Sequence, residues 1–308
     1  MYRLGIDLGG TNIAVGLVNQ DNQIIYKNSV KTPKGTTQEA VADAMIAICQ
    51  QIMTDNNLTT NHIRYIGMGV PGMADDTAGK ILWAPNVSFE NFDMRDYFTQ
   101  RLAVPVYMEN DANAAALGES LLPHMDAYNN VVFVTLGTGV GVGVILNKQL
   151  VRGSVEAGHM TLDPAGPVCG CGYAGCFESF ASATALIKRA KEQAQARPDS
   201  QLLTLAGEIA NIEAKTVFDA YDAGDSLAHG LVDHYIHYLA MGINNLINSY
   251  PTDAVILGGG ISKQEDKLIT PLSTALQQRA LGGRFTAKLF TAKLGNDAGI
   301  LGAANLNG

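Results

Sequence analysis

The sequence predicts an α/β protein with two similar halves. Strand-like and helical apolar patterns alternate along the chain, which is typical of α/β folds. The same order of strand, glycine-rich turn and strand occurs twice, at residues 3–18 and 131–146. The chain has 308 residues, which is enough for two domains with a substantial core.

The first half opens with the segment RLGIDLGGTNIAVGLV. Ile13, Val15 and Leu17 follow its glycine turn in β-like alternation, whereas a Rossmann or P-loop unit would continue into a helix. We therefore predict a β-hairpin, and the turn of this hairpin can direct its backbone N–H groups at an anion.

Asp7 ends the first predicted strand, just before the turn Gly9-Gly10-Thr11. A carboxylate in this position can hold a hydrated Mg2+ while the turn amides and the threonine hydroxyl face a phosphate. The alternative is an aspartate that only accepts hydrogen bonds within its own turn. The second glycine turn, Gly137-Thr138-Gly139, repeats the donor pattern without an acidic residue.

Residues 38–53 carry apolar side chains at helical spacing, which predicts a helix facing the core. Cys49 belongs to the apolar face of this helix, so we interpret it as a packing residue. The other predicted elements alternate in chain order: strands at 23–30, 65–70 and 104–108, a helix from 112, strands at 131–137 and 140–146, helices at about 182–196, 204–210, 214–222 and 226–248, a strand at 254–257, a helix at about 265–279, a strand at 288–292 and a helix at 297–306.

A short cysteine-rich segment, residues 156–178, predicts a metal site. Cys169, Cys171, Cys176 and His159 supply the ligand types of a tetrahedral Cys3His zinc site. The alternatives are buried small hydrophobic residues or disulfides, but three clustered thiols cannot all pair with one another. Because four protein ligands leave no open coordination position, we expect the zinc to be structural.

Composition excludes several classes of function. The formal net charge of −8 argues against a nucleic-acid partner, since phosphate backbones attract basic surfaces. The start of the sequence lacks a signal-peptide pattern, and no apolar run reaches the ~18 residues of a membrane span. We therefore expect a cytoplasmic protein without a membrane partner.

Asp111 is the candidate catalytic residue because it follows a strand and precedes a helix, where open α/β folds place reactive groups. Asn110 or Asp111 is expected to cap this helix, and capping does not exclude catalysis. Phosphoryl transfer needs a carboxylate that orients a hydroxyl and takes its proton late, so an ordinary pKa suffices.

Two further carboxylates flank the cysteine-rich segment, Glu156 and Glu178. We expect the folded loop to bring both near one small polar ligand. Carboxylates, amides and imidazole suit sugar hydroxyls, which both donate and accept hydrogen bonds. If one ring nitrogen of His159 binds zinc, the other can still donate to a ligand hydroxyl.

Taken together, these motifs resemble the ROK family of bacterial sugar kinases, within the actin-like ATPase superfamily. The matching segments are DLGGTNIAVGLV at 7–18, ENDANAAALGE at 109–119, LGTGVGVGVI at 136–145, EAGHM at 156–160, CGCGYAGCFES at 169–179, VILGGGIS at 255–262 and LGNDAGILGAA at 294–304. The resemblance implies a two-domain ribonuclease H-like fold with an interdomain cleft. Its small α/β domain comprises residues 1–118 plus 291–308, and its large domain comprises residues 119–290 with the zinc loop.

The resemblance also implies the activity and the site. Asp111 is expected to act as general base toward the 6-hydroxyl of a hexose, which receives the γ-phosphate of ATP. The sugar-binding residues implied are Gly72, Asn86, Asn110, Asp111, Glu156, His159 and Glu178. The residues implied for ATP and Mg2+ are Asp7, Gly9, Gly10, Thr11, Asn12, Gly137, Thr138, Gly139, Gly258, Gly259 and Gly260. Structural Zn2+ is implied on His159, Cys169, Cys171 and Cys176, and a homodimer is expected. Val142 departs from the family pattern, which usually has glycine there.

Glucose is the expected substrate, because the segments YIGMGVPG, WAPN and FASAT look most like those of ATP-dependent glucokinases. N-acetylmannosamine kinases, fructokinases and allokinases share nearly all these motifs, so they stay as alternatives, as does polyphosphate as the donor. A non-catalytic sugar sensor would not need Asp7 or Asp111, and a metal-dependent hydrolase would need an open zinc position. The first phosphate motif already begins at Asp7, which favours a kinase over a family repressor with a preceding helix-turn-helix.

Overall fold

A computed structural model describes residues 1–153 and 155–307, and the chain divides into two compact units. The first unit contains residues 1–129, 143–155 and the chain from 293 onward; the second contains residues 130–142 and 156–292. These bounds differ from the predicted domains in three segments: residues 119–129 and 143–155 belong to the first unit, and residues 291–292 belong to the second. Gly143 explains part of this difference, because it packs against Ala116 in the helix that follows Asp111.

The strands form three sheets. In chain order the strands are β1 (Tyr2–Leu8), β2 (Asn12–Val18), β3 (Ile24–Lys31), β4 (Ile63–Val70), β5 (Met73–Asp75), β6 (Lys80–Ala84), β7 (Phe89–Phe92), β8 (Val106–Asn110), β9 (Val131–Leu136), β10 (Val140–Leu146), β11 (Gln149–Leu150), β12 (Ala254–Gly258) and β13 (Lys288–Thr291). The sheet orders are β3-β2-β1-β4-β8, β11-β10-β9-β12-β13 and β5-β6-β7.

The α-helices of the described residues connect and cover these sheets. They are α1 (Gln38–Asp55), α2 (Met94–Leu102), α3 (Asp111–Ser120), α4 (Phe177–Ala181), α5 (Ala183–Ala194), α6 (Gln201–Ala206), α7 (Ala214–Asp222), α8 (Ser226–Ser249), α9 (Asp266–Arg279) and α10 (Asp297–Ala303). The 3-10 turn at Ala157–His159 matters for the site, since it carries the histidine of the cysteine-rich segment.

In the first unit, β1 pairs antiparallel with β2 and parallel with β4, and β4 pairs parallel with β8. The alternating apolar residues of β1 and β2 lie in one core with the apolar face of α1. The β-hairpin predicted at the first glycine turn is confirmed. Cys49 is fully buried in the core, as predicted, and burial raises the pKa of its thiol to about 12.

Helix α10 lies unusually close to α3 and to β1 and β4. A methyl group at Gly302 would lie 1.6 Å from the carbonyl oxygen of Ala114, so only glycine allows this approach. At Gly5, on β1, the corresponding distance to the carbonyl oxygen of Ile300 is 2.0 Å. These backbone contacts fix α3, the helix that begins at Asp111, relative to the sheet.

In the second unit, β12 pairs parallel with both β9 and β13. Strand β10 begins here at Val140, and its residues from Gly143 onward belong to the first unit. Val142 is buried within β10. Helix α8 packs on α4, α5, α7 and α9, and the hydroxyl of the buried Tyr235 donates to the carbonyl oxygen of Ala181 at 2.8 Å.

Several predicted elements differ from the structure. The helix predicted at about 204–210 is wrong in its bounds: α6 begins after the capping Ser200 and ends at Ala206, because Gly207 has φ of 74°. Helix α10 ends at Ala303 rather than at 306. The sequence analysis missed the β5-β6-β7 sheet and α2, although Met94, Phe98 and Leu102 have helical spacing and are buried.

Among the described residues, no helix has both the length and the hydropathy needed to cross a membrane.

We expect Gly302→Ala to destabilise the protein by about 3 kcal/mol or more, because the new methyl group would overlap backbone atoms that cannot move independently. Urea denaturation measures the difference in free energy of unfolding. Gly230→Ala is the matched control: Gly230 lies within α8 with open space around it, so alanine is expected to stabilise the helix by ~0.5–1 kcal/mol. Equal effects of the two substitutions would contradict the close packing of α10 on α3.

Candidate active site

The carboxyl ends of three parallel strands meet at one edge of the first unit. Asp7 near the end of β1 pairs with Gly69 of β4, which pairs with Glu109 of β8. A methyl group at Gly69 would lie 3.2 Å from the side chain of Ala114, so glycine lets α3 start close to the strand ends. Open α/β sheets bind ligands at this edge.

Asn110 caps α3, as predicted. Its side-chain oxygen accepts the N–H groups of Ala112 at 2.9 Å and Asn113 at 3.3 Å, and its amide nitrogen donates to the carbonyl oxygen of Gly72 at 3.2 Å. Asp111 is the first residue of the helix, and its carboxylate accepts the N–H of Ala112 at 2.8 Å. The carboxylate therefore lies at the N-terminus of α3, beside the end of β8.

A buried polar pair, Glu109 and Asn113, supports the start of α3, and neither residue was predicted to do so. Glu109 is 4% exposed and accepts hydrogen bonds from the N–H of Asn110 at 2.9 Å and from the amide of Asn113 at 3.1 Å. Asn113, which is fully buried, also donates to the carbonyl oxygens of Val151 at 3.4 Å and Gly153 at 2.9 Å. The four-residue spacing of Glu109 and Asn113 across a helix start is the signal that could have identified them.

The first glycine turn is closed by its own backbone and by one threonine. The N–H of Gly9 donates to the carbonyl oxygen of Asn12 at 3.0 Å. The hydroxyl of Thr32 donates to the carbonyl oxygen of Gly9 at 2.6 Å, and its N–H donates to that of Thr11 at 3.0 Å. Thr32 was not predicted, because its position beside the turn depends on the pairing of β2 with β3.

Asp7 faces a cavity of about 640 Å³ beside this turn. Gly9, Gly10, Thr11 and Asn12 line one side of the cavity. Burial raises the pKa of the Asp7 carboxyl from 3.8 to about 6. A raised pKa means that the carboxylate is destabilised where it lies, and a cation bound beside it would remove that penalty.

Two other parts of the chain reach the same cavity. Lys27 on β3 and Asp297 in the first turn of α10 both line it, and the lysine ammonium lies 2.7 Å from the aspartate carboxylate. Gly299 packs directly on Asp7, since a methyl group there would lie 2.8 Å from the carboxyl carbon. Asn86, a predicted sugar ligand, is exposed and its backbone and Cβ lie beside Gly10.

In the second unit, the two remaining glycine clusters converge. Gly258 is paired with Thr135 across parallel strands, so β9 and β12 end side by side. Gly259 has φ of 81°, and a methyl group there would lie 2.4 Å from the carbonyl oxygen of Leu136. The turn that begins at Gly137 therefore lies next to the turn after β12, although more than a hundred residues separate them.

Glu178 contacts this second glycine turn. Its carboxylate accepts the N–H of Val140 at 3.1 Å, and a methyl group at Gly139 would lie 2.2 Å from the same carboxylate oxygen. Gly158 brings the 3-10 turn to the same place, because its α-carbon packs on the carbonyl oxygen of Val140. Glu156 begins that turn with an exposed side chain, and its carbonyl oxygen accepts the N–H of His159 at 3.0 Å.

The four predicted zinc ligands lie together. The ligand atoms of His159, Cys169, Cys171 and Cys176 are all within 4.8 Å of one another. The Nδ1 atom of His159 lies 3.6 Å from the sulfur of Cys169, and the sulfurs of Cys171 and Cys176 are 3.5 Å apart. Ligand atoms around a tetrahedral zinc at ~2.0–2.3 Å are separated by roughly 3.5–4 Å, so the arrangement fits the ion.

The surroundings of the three thiols shift their pKa values in different directions. Burial raises the pKa of Cys169 to about 12, and burial also raises the pKa of Cys176. The pKa of Cys171 is lowered, chiefly because its sulfur accepts the backbone N–H of Tyr173. The described cysteines are free thiols, which leaves the disulfide alternative without support. The donor set is closed, so a bound zinc would hold the loop together.

Glu178 also contacts one of the predicted zinc ligands, since its second carboxylate oxygen lies 3.5 Å from the sulfur of Cys169. His159 turns Nδ1 toward the cysteines, which leaves Nε2 available to another partner. Two predicted sugar ligands, His159 and Glu178, therefore lie at the predicted zinc site.

Comparisons with known proteins agree with this geometry. A family model described as the ROK family matches residues 3–307. Glucokinases from Streptomyces coelicolor and Thermotoga maritima are 33% and 34% identical over 98% of this chain and 96% of each relative. The solved structure of a ROK family glucokinase from Streptomyces griseus, in complex with glucose and AMPPNP, is 34% identical with a TM-score of 0.84, covering 99% of both chains. The chain therefore belongs to the ROK family.

Proposed function

We propose that this chain is an ATP-dependent hexose kinase that transfers the γ-phosphate of ATP to the 6-hydroxyl of glucose. The observation that carries the proposal is the position of Asp111, at the same sheet edge as Asp7 and the first glycine turn. The glucokinases that resemble the chain over nearly its whole length support the substrate. The glucose and AMPPNP bound to the similar Streptomyces griseus enzyme support the pair of ligands.

Asp111 is proposed as the general base. Its carboxylate can orient the 6-hydroxyl and accept the proton late in the transfer, a role for which an ordinary carboxylate suffices. The hydrogen bonds of Asn110 to the helix N–H groups and to Gly72 hold the carboxylate at the strand end. Positioning is the main contribution expected of the protein in phosphoryl transfer.

The nucleotide ligands are proposed in each unit separately. In the first unit, Asp7 would hold Mg2+ and the amides of residues 10–12 would face phosphate oxygens, while the N–H of Gly9 closes the turn. In the second unit, the neighbouring turns at residues 137–139 and 258–260 offer backbone amides and, at the glycines, space for close approach. Each glycine turn stands at the end of a strand that is fixed on both sides, so its donors are organised before the nucleotide binds.

Sugar binding is proposed to use Gly72, Asn86, Asn110 and Asp111 in the first unit and Glu156, His159 and Glu178 in the second. Carboxylates and amides can accept and donate the paired hydrogen bonds of vicinal hydroxyls. Zinc would hold His159 directly as a ligand and Glu178 indirectly through Cys169, which the carboxylate contacts, and it would take no part in the chemistry. The homodimer remains a prediction.

The test is a coupled ADP-release assay with Mg-ATP and a panel of glucose, mannose, fructose, allose, N-acetylglucosamine and N-acetylmannosamine. We expect turnover with the highest kcat/KM for glucose. Asp111→Asn keeps the size of the side chain but removes the base, so kcat should fall by ~10³-fold or more while glucose still binds in calorimetry.

A preference for an N-acetylated sugar would support the kinase activity but contradict glucose as the substrate. No turnover with any sugar in zinc-loaded protein would contradict the kinase and favour the sugar sensor. Near-normal turnover of Asp111→Asn would remove this residue as the base.

Cys171→Ser is expected to lose the metal, because a hydroxyl is a poor replacement for a thiolate ligand of zinc. Elemental analysis of purified protein should find a single zinc ion per chain in the wild type and substantially less in the variant. Glucose affinity should fall with the metal, since the loop carries His159 and Glu178. Cys49→Ala, a buried cysteine away from the cluster, should keep the zinc. Full zinc occupancy in Cys171→Ser would exclude it as a ligand.

Asp7→Asn is expected to abolish turnover and to stabilise the metal-free protein. Because the folded pKa is about 6 and the ordinary value is 3.8, the folded state binds the proton more tightly. Stability is therefore lost as pH rises from about 4 to about 6, and the loss is complete above this window. At pH ~7.5 the variant should exceed the wild type by ~1–3 kcal/mol, and near pH ~4 the difference should vanish.

Urea denaturation with a chelator present measures this difference. Asp21→Asn, at an exposed turn position, is the control and should show no such pH dependence. A less stable Asp7→Asn at neutral pH would mean that the carboxylate makes stabilising contacts without any metal.

A further inference from the structure

Strand β8 is an edge strand of its sheet, yet its outer backbone groups are paired. The carbonyl oxygen of Val106 accepts a hydrogen bond from Nε of Arg95 at 3.0 Å. The N–H of Met108 donates to the Oδ1 atom of Asp76 at 2.9 Å. The N–H and C=O of residues two apart point to the same side of a strand, so these two bonds replace part of a missing strand.

Asp76 and Arg95 also bind each other. The guanidinium lies 2.6 Å from the same Oδ1 atom of Asp76 and also donates to the backbone carbonyl of that residue. We name this ion pair, with its bonds to Val106 and Met108, the edge clamp. It joins the strand that leads to Asp111 to two elements elsewhere in the first unit.

The clamp residues are placed by contacts that do not involve β8. Arg95 lies in the first turn of α2, and its N–H donates to the carbonyl oxygen of Gly79 at 3.0 Å. Gly79 has φ of 76°, and a methyl group there would lie 2.9 Å from Cβ of Arg95. The turn between β5 and β6 carries Asp76. This turn packs tightly on the start of α2 through contacts that are separate from those with β8.

Asp76 also contacts the segment that precedes Glu156. Its Oδ2 atom lies 3.6 Å from the guanidinium of Arg152, which in turn donates to the carbonyl oxygen of Leu306. The amide of Asn113 binds the carbonyl oxygens on either side of Arg152. One carboxylate therefore contacts both the strand before Asp111 and the chain before Glu156.

We propose that Asp76 and Arg95 are positioning residues for the phosphoryl transfer, acting on Asp111 through β8. The proposal rests on the function proposed above. The clamp bonds Met108, three residues before Asp111, and the parallel partner β4 holds the opposite side of β8. A strand held on one side only can twist or slide, and a displacement of the base by ~1 Å is enough to lower turnover by ~10²-fold.

A role in stability alone predicts a different result. The side chains of Arg95 and Asp76 are 31% and 27% exposed, and ion pairs with such access to water add little to the free energy of unfolding. Loss of the clamp should therefore lower kcat far more than it lowers stability. KM for glucose should change much less than kcat, because most of the proposed sugar ligands, among them Asn86 and Glu156, do not lie on β8.

The test compares Arg95→Met with Arg101→Met. Methionine removes the guanidinium and keeps an unbranched apolar side chain at both positions. Arg101 lies on the same helix, where its guanidinium covers the ring of Tyr97 at 3.4 Å and lies 3.7 Å from Asp43. We expect Arg95→Met to lower kcat ~10-fold or more with KM for glucose within ~3-fold, and Arg101→Met to keep kcat within ~2-fold.

A second pair of variants tests the geometry of the bond to the strand. Asp76→Asn keeps an oxygen acceptor for the N–H of Met108, whereas Asp76→Ala removes it. We expect kcat to fall in the order wild type, Asp76→Asn, Asp76→Ala. Equal kcat for the two variants, or a kcat of Arg95→Met equal to that of Arg101→Met, would overturn the positioning role.

Amide hydrogen exchange provides a readout that does not depend on activity. The N–H of Met108 should exchange faster in Arg95→Met and Asp76→Ala than in the wild type, while the amides of α1 stay unchanged. If the wild type phosphorylates no hexose, the proposed function fails and the kinetic comparison with it. The exchange rate of the Met108 N–H in the variants then decides whether the clamp holds β8. An unchanged rate would contradict this role of the clamp.

Discussion

The backbone contact of α10 with α3 and the central strands fixes the functional edge of the first unit. Gly302 and Gly5 allow helix and sheet to meet without intervening side chains. As a result, α3 can begin at the end of β8, and Gly299 can pack on the carboxyl of Asp7. Backbone contacts of this kind cannot adjust independently, so they fix the positions from which Asp7 and Asp111 start.

In the second unit, the predicted metal ligands and the predicted sugar ligands contact one another. Glu178 contacts both the glycine turn through Val140 and the sulfur of Cys169. The Nδ1 atom of His159 faces the sulfur of Cys169, and the 3-10 turn that ends at His159 packs on Val140. A closed metal site of this kind would offset the conformational entropy that a glycine-rich loop loses on folding.

Local sequence patterns predicted many of the elements and site residues. The features that were missed depend on pairing between distant parts of the chain. The hairpin at Gly9, a cap at Asn110 or Asp111 and the grouping of the four predicted metal ligands follow from short-range spacing. The structure has the hairpin, places the cap at Asn110 and brings the four side chains together. Thr32 and the Asp76–Arg95 pair were missed because their partners are fixed only when strands pair across tens of residues. The individual roles of the site residues remain predictions, since they depend on ligands.

The most direct measurement is the crystal structure of the zinc-loaded protein with glucose and AMPPNP. The distance between the sugar O6 atom and the carboxylate of Asp111 tests the central claim. We predict a hydrogen bond of about 2.6–3.2 Å, with the γ-phosphate on the opposite side of O6. A sugar bound with O6 out of reach of the carboxylate of Asp111 would contradict the account.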